Sequence, residues 1–111
     1  MFIILGNITP TAGTPVDLFQ NFPNLRNKVT HVNSVYFQVG ESNIQDAYIG
    51  IKGMVVASDI NVIAVLRPPT ANSLSEVTME ITNSPNPYVL NDFRIDVANT
   101  GDLVRVTAQV F

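Results

Sequence analysis

Apolar and polar positions alternate with a period of two along much of the chain. Val77, Met79 and Ile81 alternate with Glu76, Thr78, Glu80 and Thr82; Phe93, Ile95 and Val97 alternate with Arg94, Asp96 and Ala98; and Val104, Val106, Ala108 and Val110 alternate with Arg105, Thr107 and Gln109. That period puts one face of a strand on a core and the other in water. The middle of the chain is apolar on both faces. Residues 29–39 set Val35, Phe37 and Val39 against Val32 and Tyr36, and residues 47–51 and 60–66 are nearly continuous apolar runs. Runs of that kind fit central strands covered on both sides, by a second sheet or by another subunit.

Turn chemistry separates these runs at fairly even intervals: Pro10 and Gly13, Pro23, residues 40–43, Ser58-Asp59, residues 68–75, residues 83–87 and residues 99–102. Asn, Pro, Gly and Asp at such places favour turns, and no window of about 12 residues sustains a capped helical period. The pattern predicts an all-β chain: a single antiparallel β-sandwich or jelly roll of about seven or eight strands, with little helix, over residues 1–111. A closed barrel is the alternative. Around residues 99–102 it also predicts a terminal hairpin, with Ala98 opposite Leu103 and Asp96 opposite Arg105. Exposed on the outer face, that pair would contribute a few tenths of a kcal/mol.

Composition strengthens the β assignment. Val and Ile together number 25, Asn 12 and Thr 9 of 111 residues. β-Branched side chains lose rotamer freedom in a helix and fit a pleated surface. A net charge of −3 with only 14% charged residues speaks against nucleic acid, which calls for clustered Lys and Arg. So little charge on a small chain also implies polarity from Asn, Ser and Thr, or a surface covered by a partner. The apolar start Phe2-Ile3-Ile4-Leu5 ends at Gly6. It is too short for a secretory h-region of roughly 7–15 residues or a membrane span of about 20, and reads as a first strand.

Catalytic and metal chemistry find few residues to use. There is no Cys, which removes thiolate nucleophiles, disulfides and Cys-based zinc sites, and the one imidazole is His31, on a strand-like run. Glu76 and Glu80 lie four residues apart on one strand, about 13 Å, too far for a glycosidase pair. Asp92, Asp96, Asn99 and Asp102 cluster in sequence without a calcium-loop pattern. Gly50 and Gly53 fit no nucleotide fingerprint; Gly50 reads as a bulge or close approach, Gly53 as a turn. The expectation is a chain that is not an enzyme, with no catalytic, cofactor-binding or metal residues and no cofactor. Among nine aromatic residues, Phe19 and Phe22 flank Asn21 and Tyr88 follows Pro87, loop positions suited to stacking on a sugar or plugging a neighbour's pocket.

The segment Gly6-Asn7-Ile8-Thr9-Pro10-Thr11-Ala12-Gly13-Thr14-Pro15-Val16-Asp17-Leu18 resembles the start of many small virion proteins of tailed bacteriophages. The likeness continues through Val35-Tyr36-Phe37-Gln38-Val39, through Ala47-Tyr48-Ile49-Gly50-Ile51-Lys52-Gly53-Met54, and from Phe93 to Val106. The resemblance implies a jelly-roll or sandwich domain that assembles as a homotrimer and decorates, or cements, a capsid. Its partners would be further copies of itself and the major capsid protein, with no nucleic acid and no membrane. Its place would be the outer capsid surface of the virion, after synthesis in the host bacterial cytoplasm. The apolar N-terminal arm (Phe2, Ile3, Ile4, Leu5) and Phe111 are candidate subunit or capsid contacts, together with Phe19, Phe22 and Tyr88. The chain departs from the family pattern at Pro68-Pro69 and Ser84-Pro85-Asn86-Pro87. A tail, baseplate or head-completion role, or a glycan- or receptor-binding sandwich, are the alternatives.

Overall fold

The computed structural model describes residues 2–18, 32–70, 73–80 and 92–110. Eight strands follow in chain order: β1 (Phe2–Ile8), β2 (Val16–Asp17), β3 (Val32–Val39), β4 (Ala47–Ile51), β5 (Val62–Leu66), β6 (Glu76–Glu80), β7 (Phe93–Val97) and β8 (Val104–Val110). No α-helix occurs among the described residues. The strands form two four-stranded sheets, ordered β1-β8-β3-β6 and β2-β7-β4-β5, with every pairing antiparallel. Among the described residues each sheet ends in two edge strands, giving a β-sandwich and not a closed barrel.

The order has a simple logic. Strands β1 to β4 run outward and β5 to β8 return, pairing 1 with 8, 2 with 7, 3 with 6 and 4 with 5. Folding this double ribbon into two layers leaves only β4 and β5 consecutive within one sheet. Every other connection crosses between layers. The terminal hairpin expected from the sequence is therefore not formed. Residues 99–102 carry the chain from one sheet to the other, Asp96 sits opposite Tyr48, and Arg105 lies between Asn7 and Gln38. The alternation in β7 and β8 fixes each strand's buried face, but it carries no information about the partner strand.

The core lies between the sheets. Val35, Phe37, Val39, Val104, Val106 and Ala108 from one layer meet Ala47, Ile49, Leu66, Phe93, Ile95 and Val97 from the other, with Ile8, Val16 and Leu18 closing the sides. Phe37 and Phe93 meet edge to face across the layers, ring centres 5.5 Å apart, a pair worth about 0.5–1.5 kcal/mol beyond its burial. A second expectation needs correction here. β4 is central, as its two-sided apolar run implied, but β5 is an edge strand. Ile60 precedes β5, in a turn, and is 96% exposed.

Candidate docking face

Two layers of one sandwich have unlike outer surfaces. The outer face of β1-β8-β3-β6 carries Ser34, Tyr36, Gln38, Glu76, Thr78, Arg105, Thr107 and Gln109. Tyr36 Oη and Gln38 Nε2 both donate to Glu76 Oε2, the latter over 3.2 Å, and Arg105 Nε donates to Asn7 Oδ1 over 3.4 Å. The hydrogen bond to Glu76, with desolvation and the nearby negative charge adding to it, raises the Tyr36 pKa above its ordinary value. This surface is a solvated ladder of cross-strand polar pairs.

The other sheet carries Asp17, Arg94 and Tyr48 at outward positions of β2, β7 and β4, and apolar side chains on β5 and in the loops beside it. Among the described residues, the exposed large aliphatics are Ile44, Val55, Val56, Ile60, Ile63 and Val65. Ile63 and Val65 belong to β5, Val55, Val56 and Ile60 to its connection with β4, and Ile44 to the loop that enters β4. Two clefts of about 330 and 370 Å³ lie side by side, sharing Tyr48 and Ala98. Ile44 and Pro68 line the first, Val56 and Gly13 the second. Of the exposed aliphatics, Ile44 thus borders one cleft and Val56 the other, with Tyr48 between them.

Local chemistry explains why the clefts keep their shape. Asp96 alternates onto this outer face, yet it is only 1% exposed because the β1–β2 turn folds over it. Its Oδ1 accepts the Gly13 amide at 3.0 Å and the Val97 amide at 2.8 Å. Gly13 makes that turn at φ +82°, a conformation that favours glycine. At the other end Met54 covers Gly50. A Cβ on Gly50 would collide with Met54 Sδ and stand 3.0 Å from the Asn61 carbonyl oxygen. Here the β4–β5 register shifts, leaving Ile63 as the extra residue of a bulge.

Asp59 organises the loop between β4 and β5. Its Oδ2 accepts the Val55 and Val56 amides at 2.7 and 3.3 Å, and its Oδ1 the Asn61 amide at 2.8 Å. The Val55 amide contributes most to holding this carboxyl below its ordinary pKa; desolvation, the next effect in size, opposes it, and Asn61 and Val56 add to the lowering. The loop that exposes Val55, Val56 and Ile60 is thus fixed by its own hydrogen bonds.

The remaining buried polar groups are structural staples. Asp102 accepts the Ile44 and Gln45 amides at 3.1 and 3.0 Å and the Asn99 side-chain amide at 3.0 Å. Asn43 donates to the Leu103 carbonyl at 2.7 Å and accepts its amide at 2.8 Å. Together they tie the β3–β4 loop, with Ile44, to the β7–β8 crossing. Among the described residues no group of three or more His, Cys, Asp or Glu converges on a metal position. Asp96 and Asp102, read as neighbours in sequence, serve separate turns.

The sequence candidates do not gather here. The backbone of residues 2–5 lies in β1, at the edge of the polar-faced sheet, with Phe2 opposite Gln109 and Ile4 opposite Thr107. Phe19, Phe22, Tyr88 and Phe111 lie outside the described residues, as does His31. The exposed Val55 and Val56 were missed, and Ile60 was read as the start of a strand. Their signal was present: Val55-Val56 and Ile60 sit among Gly53, Ser58, Asp59 and Asn61, where a loop ordinarily carries polar side chains.

The fold and this face define a β-sandwich with exposed aliphatic side chains on one edge strand and in the loops beside it. Comparison with protein-family models, with curated proteins and with solved structures finds no match for the chain.

Proposed function

We propose that the chain is a structural protein of a tailed-bacteriophage virion, a homotrimeric decoration protein that binds the outer capsid surface and stabilises the shell. The observation that carries this reading is the one-sided, preorganised apolar face beside β5, suited to lasting contact with another protein surface. Two further features support it. The two four-stranded sheets, ordered 1-8-3-6 and 2-7-4-5, are compatible with an eight-stranded jelly roll, an architecture common in viral shells. The sequence also carries the turn and strand texture of small virion proteins.

Such a protein acts through equilibrium and avidity. Binding the assembled shell and not its separated subunits stabilises assembly by mass action, and three linked copies multiply weak contacts. The test is co-sedimentation of the purified protein with expanded shells of the major capsid protein from the same phage. Saturable pelleting, with shells made more resistant to heat, is the expected result. Protein that stays in the supernatant at all concentrations would overturn the reading.

A further inference from the structure

The four sheet edges differ in how they are guarded. β2 is two residues long, β6 contains Glu76 and Glu80, and β1 is interrupted by a register shift between Ile4 and Gly6. Short length, charge and bulges are the usual devices against edge-to-edge pairing. β5, Val62-Ile63-Ala64-Val65-Leu66, has a bulge at Ile63 but no charged residue, and its outward side chains are apolar. We propose that β5, with the 52–61 loop, is the interface between copies of this chain, the β5 edge and its apolar face of one copy seated against a second copy.

Three observations favour a second copy as the occupant. The first is size. The five exposed aliphatics of β5 and the 52–61 loop leave on the order of 400 Å² of apolar surface. A standard interface covers about 800 Å² per partner and is roughly 65% apolar in homo-oligomers, so these side chains would supply most of the apolar part of one side of such a contact.

Charge is the second. The chain is net −3, and an acidic face would repel a copy of itself. The rim of this face is balanced instead, with Lys52 and Arg67 against Asp46 and Asp59. Arg67 Nη1 stands 2.7 Å from Asp46 Oδ2, and the Arg67 side chain remains 75% exposed. A rim with no net charge meets the surface of a second copy without net repulsion.

Preorganisation is the third. The Asp59 hydrogen bonds fix Val55, Val56 and Ile60 before association, so little loop entropy is lost on contact.

The inference deepens the oligomeric part of the function proposed above and rests on it. Sedimentation of the full chain at micromolar concentrations tests it. The wild type is expected to run at a multiple of 12.1 kDa. Ile60→Asp and Val65→Lys are each expected to weaken association by about tenfold or more, while Thr78→Lys, on the outer face of the other sheet, leaves it unchanged. Ile60 and Val65 are solvent-exposed in the single chain, so unchanged circular dichroism and melting will separate lost association from lost folding. A wild type that sediments as a single chain throughout, or variants that associate like wild type, would overturn the proposal. Pelleting with shells is scored separately. A single-chain wild type that still pellets defeats the self-interface and the homotrimer, and leaves shell binding by single copies standing. Self-association through this face without pelleting supports the interface and defeats decoration.

Discussion

The outer faces of the two sheets show how one binary pattern serves two purposes. On β1-β8-β3-β6 the outward positions are Tyr36, Gln38, Glu76, Thr78, Arg105 and Thr107, which satisfy one another or water. On β2-β7-β4-β5 the outward side of β5 is Ile63 and Val65, flanked by Val55, Val56 and Ile60. The two inner faces are alike, each an unbroken apolar layer. Folding therefore needs no distinction between the sheets, whereas association does. Apolar residues in excess of what the core uses are concentrated on one side, and they are held there by Asp59, Asp96 and Asp102 through backbone amides.

Substitutions can break this comparison, beginning where the effect is greatest. Phe37→Ala removes a fully buried ring and its Phe93 partner contact. It should cost about 3–5 kcal/mol in urea unfolding, as large-to-small changes in tight cores do. Asp102→Ala leaves the Ile44 and Gln45 amides and the Asn99 side-chain amide without their acceptor. The expected loss is about 1–3 kcal/mol, with Ile44 amide exchange accelerated. Gly50→Ala forces Met54 off the sheet; a cost of about 1–3 kcal/mol is expected, together with weaker self-association because the loop beside Ile60 shifts. Ile60→Asp should change the stability of the single chain by no more than about 0.5 kcal/mol and still dissolve the oligomer.

The smallest effect is one of pH and sharpens the role of Asp59. Its folded pKa lies below the ordinary 3.8. A depressed carboxyl contributes stability that is fully present above the unfolded value and lost as pH falls through the folded one. The Val55 and Val56 amide resonances should therefore titrate with a midpoint below 3.8, and self-association should weaken over the same interval. Tyr36 has the opposite sign. Its pKa is raised by donating to Glu76, so its contribution is intact below the ordinary tyrosine range and fades as pH climbs through the raised value. That change belongs to the polar sheet and should leave association alone.

Much of the sandwich was legible in the chain because burial is a local pattern. Period-two alternation marked the buried sides of β6, β7 and β8, and the apolar Ala47–Ile51 run marked β4 as central. Gly50 and Gly53 also took the expected roles, a bulge under Met54 and a turn at φ +103°. Partner choice was not legible. A turn of four residues suits a hairpin, yet residues 99–102 cross between layers because β7 finds β4 and β2 while β8 finds β3 and β1. That outcome depends on pairings far apart in sequence, which no local signal reports. The docking face was only half legible. Two-sided apolar runs suggested a second sheet or another subunit, and β5 lies at a sheet edge with Ile63 and Val65 exposed. Aromatic loop residues drew attention away from the aliphatic loop at 55–60, because Ile and Val in a turn carry no chemical motif.

The central claim is that the β5 face is covered when the protein assembles. The most direct measurement is relaxation of Ile and Val methyl resonances by a soluble paramagnetic chelate, compared between concentrated wild type and the Val65→Lys variant. The methyls of Ile63 and Val55 should be shielded in the wild type and accessible in the variant, while the Thr78 and Thr107 methyls on the opposite sheet are relaxed equally in both. Equal relaxation of Ile63 and Val55 in the two samples, with the wild type still assembled, would contradict the account and place the contact elsewhere on the sandwich.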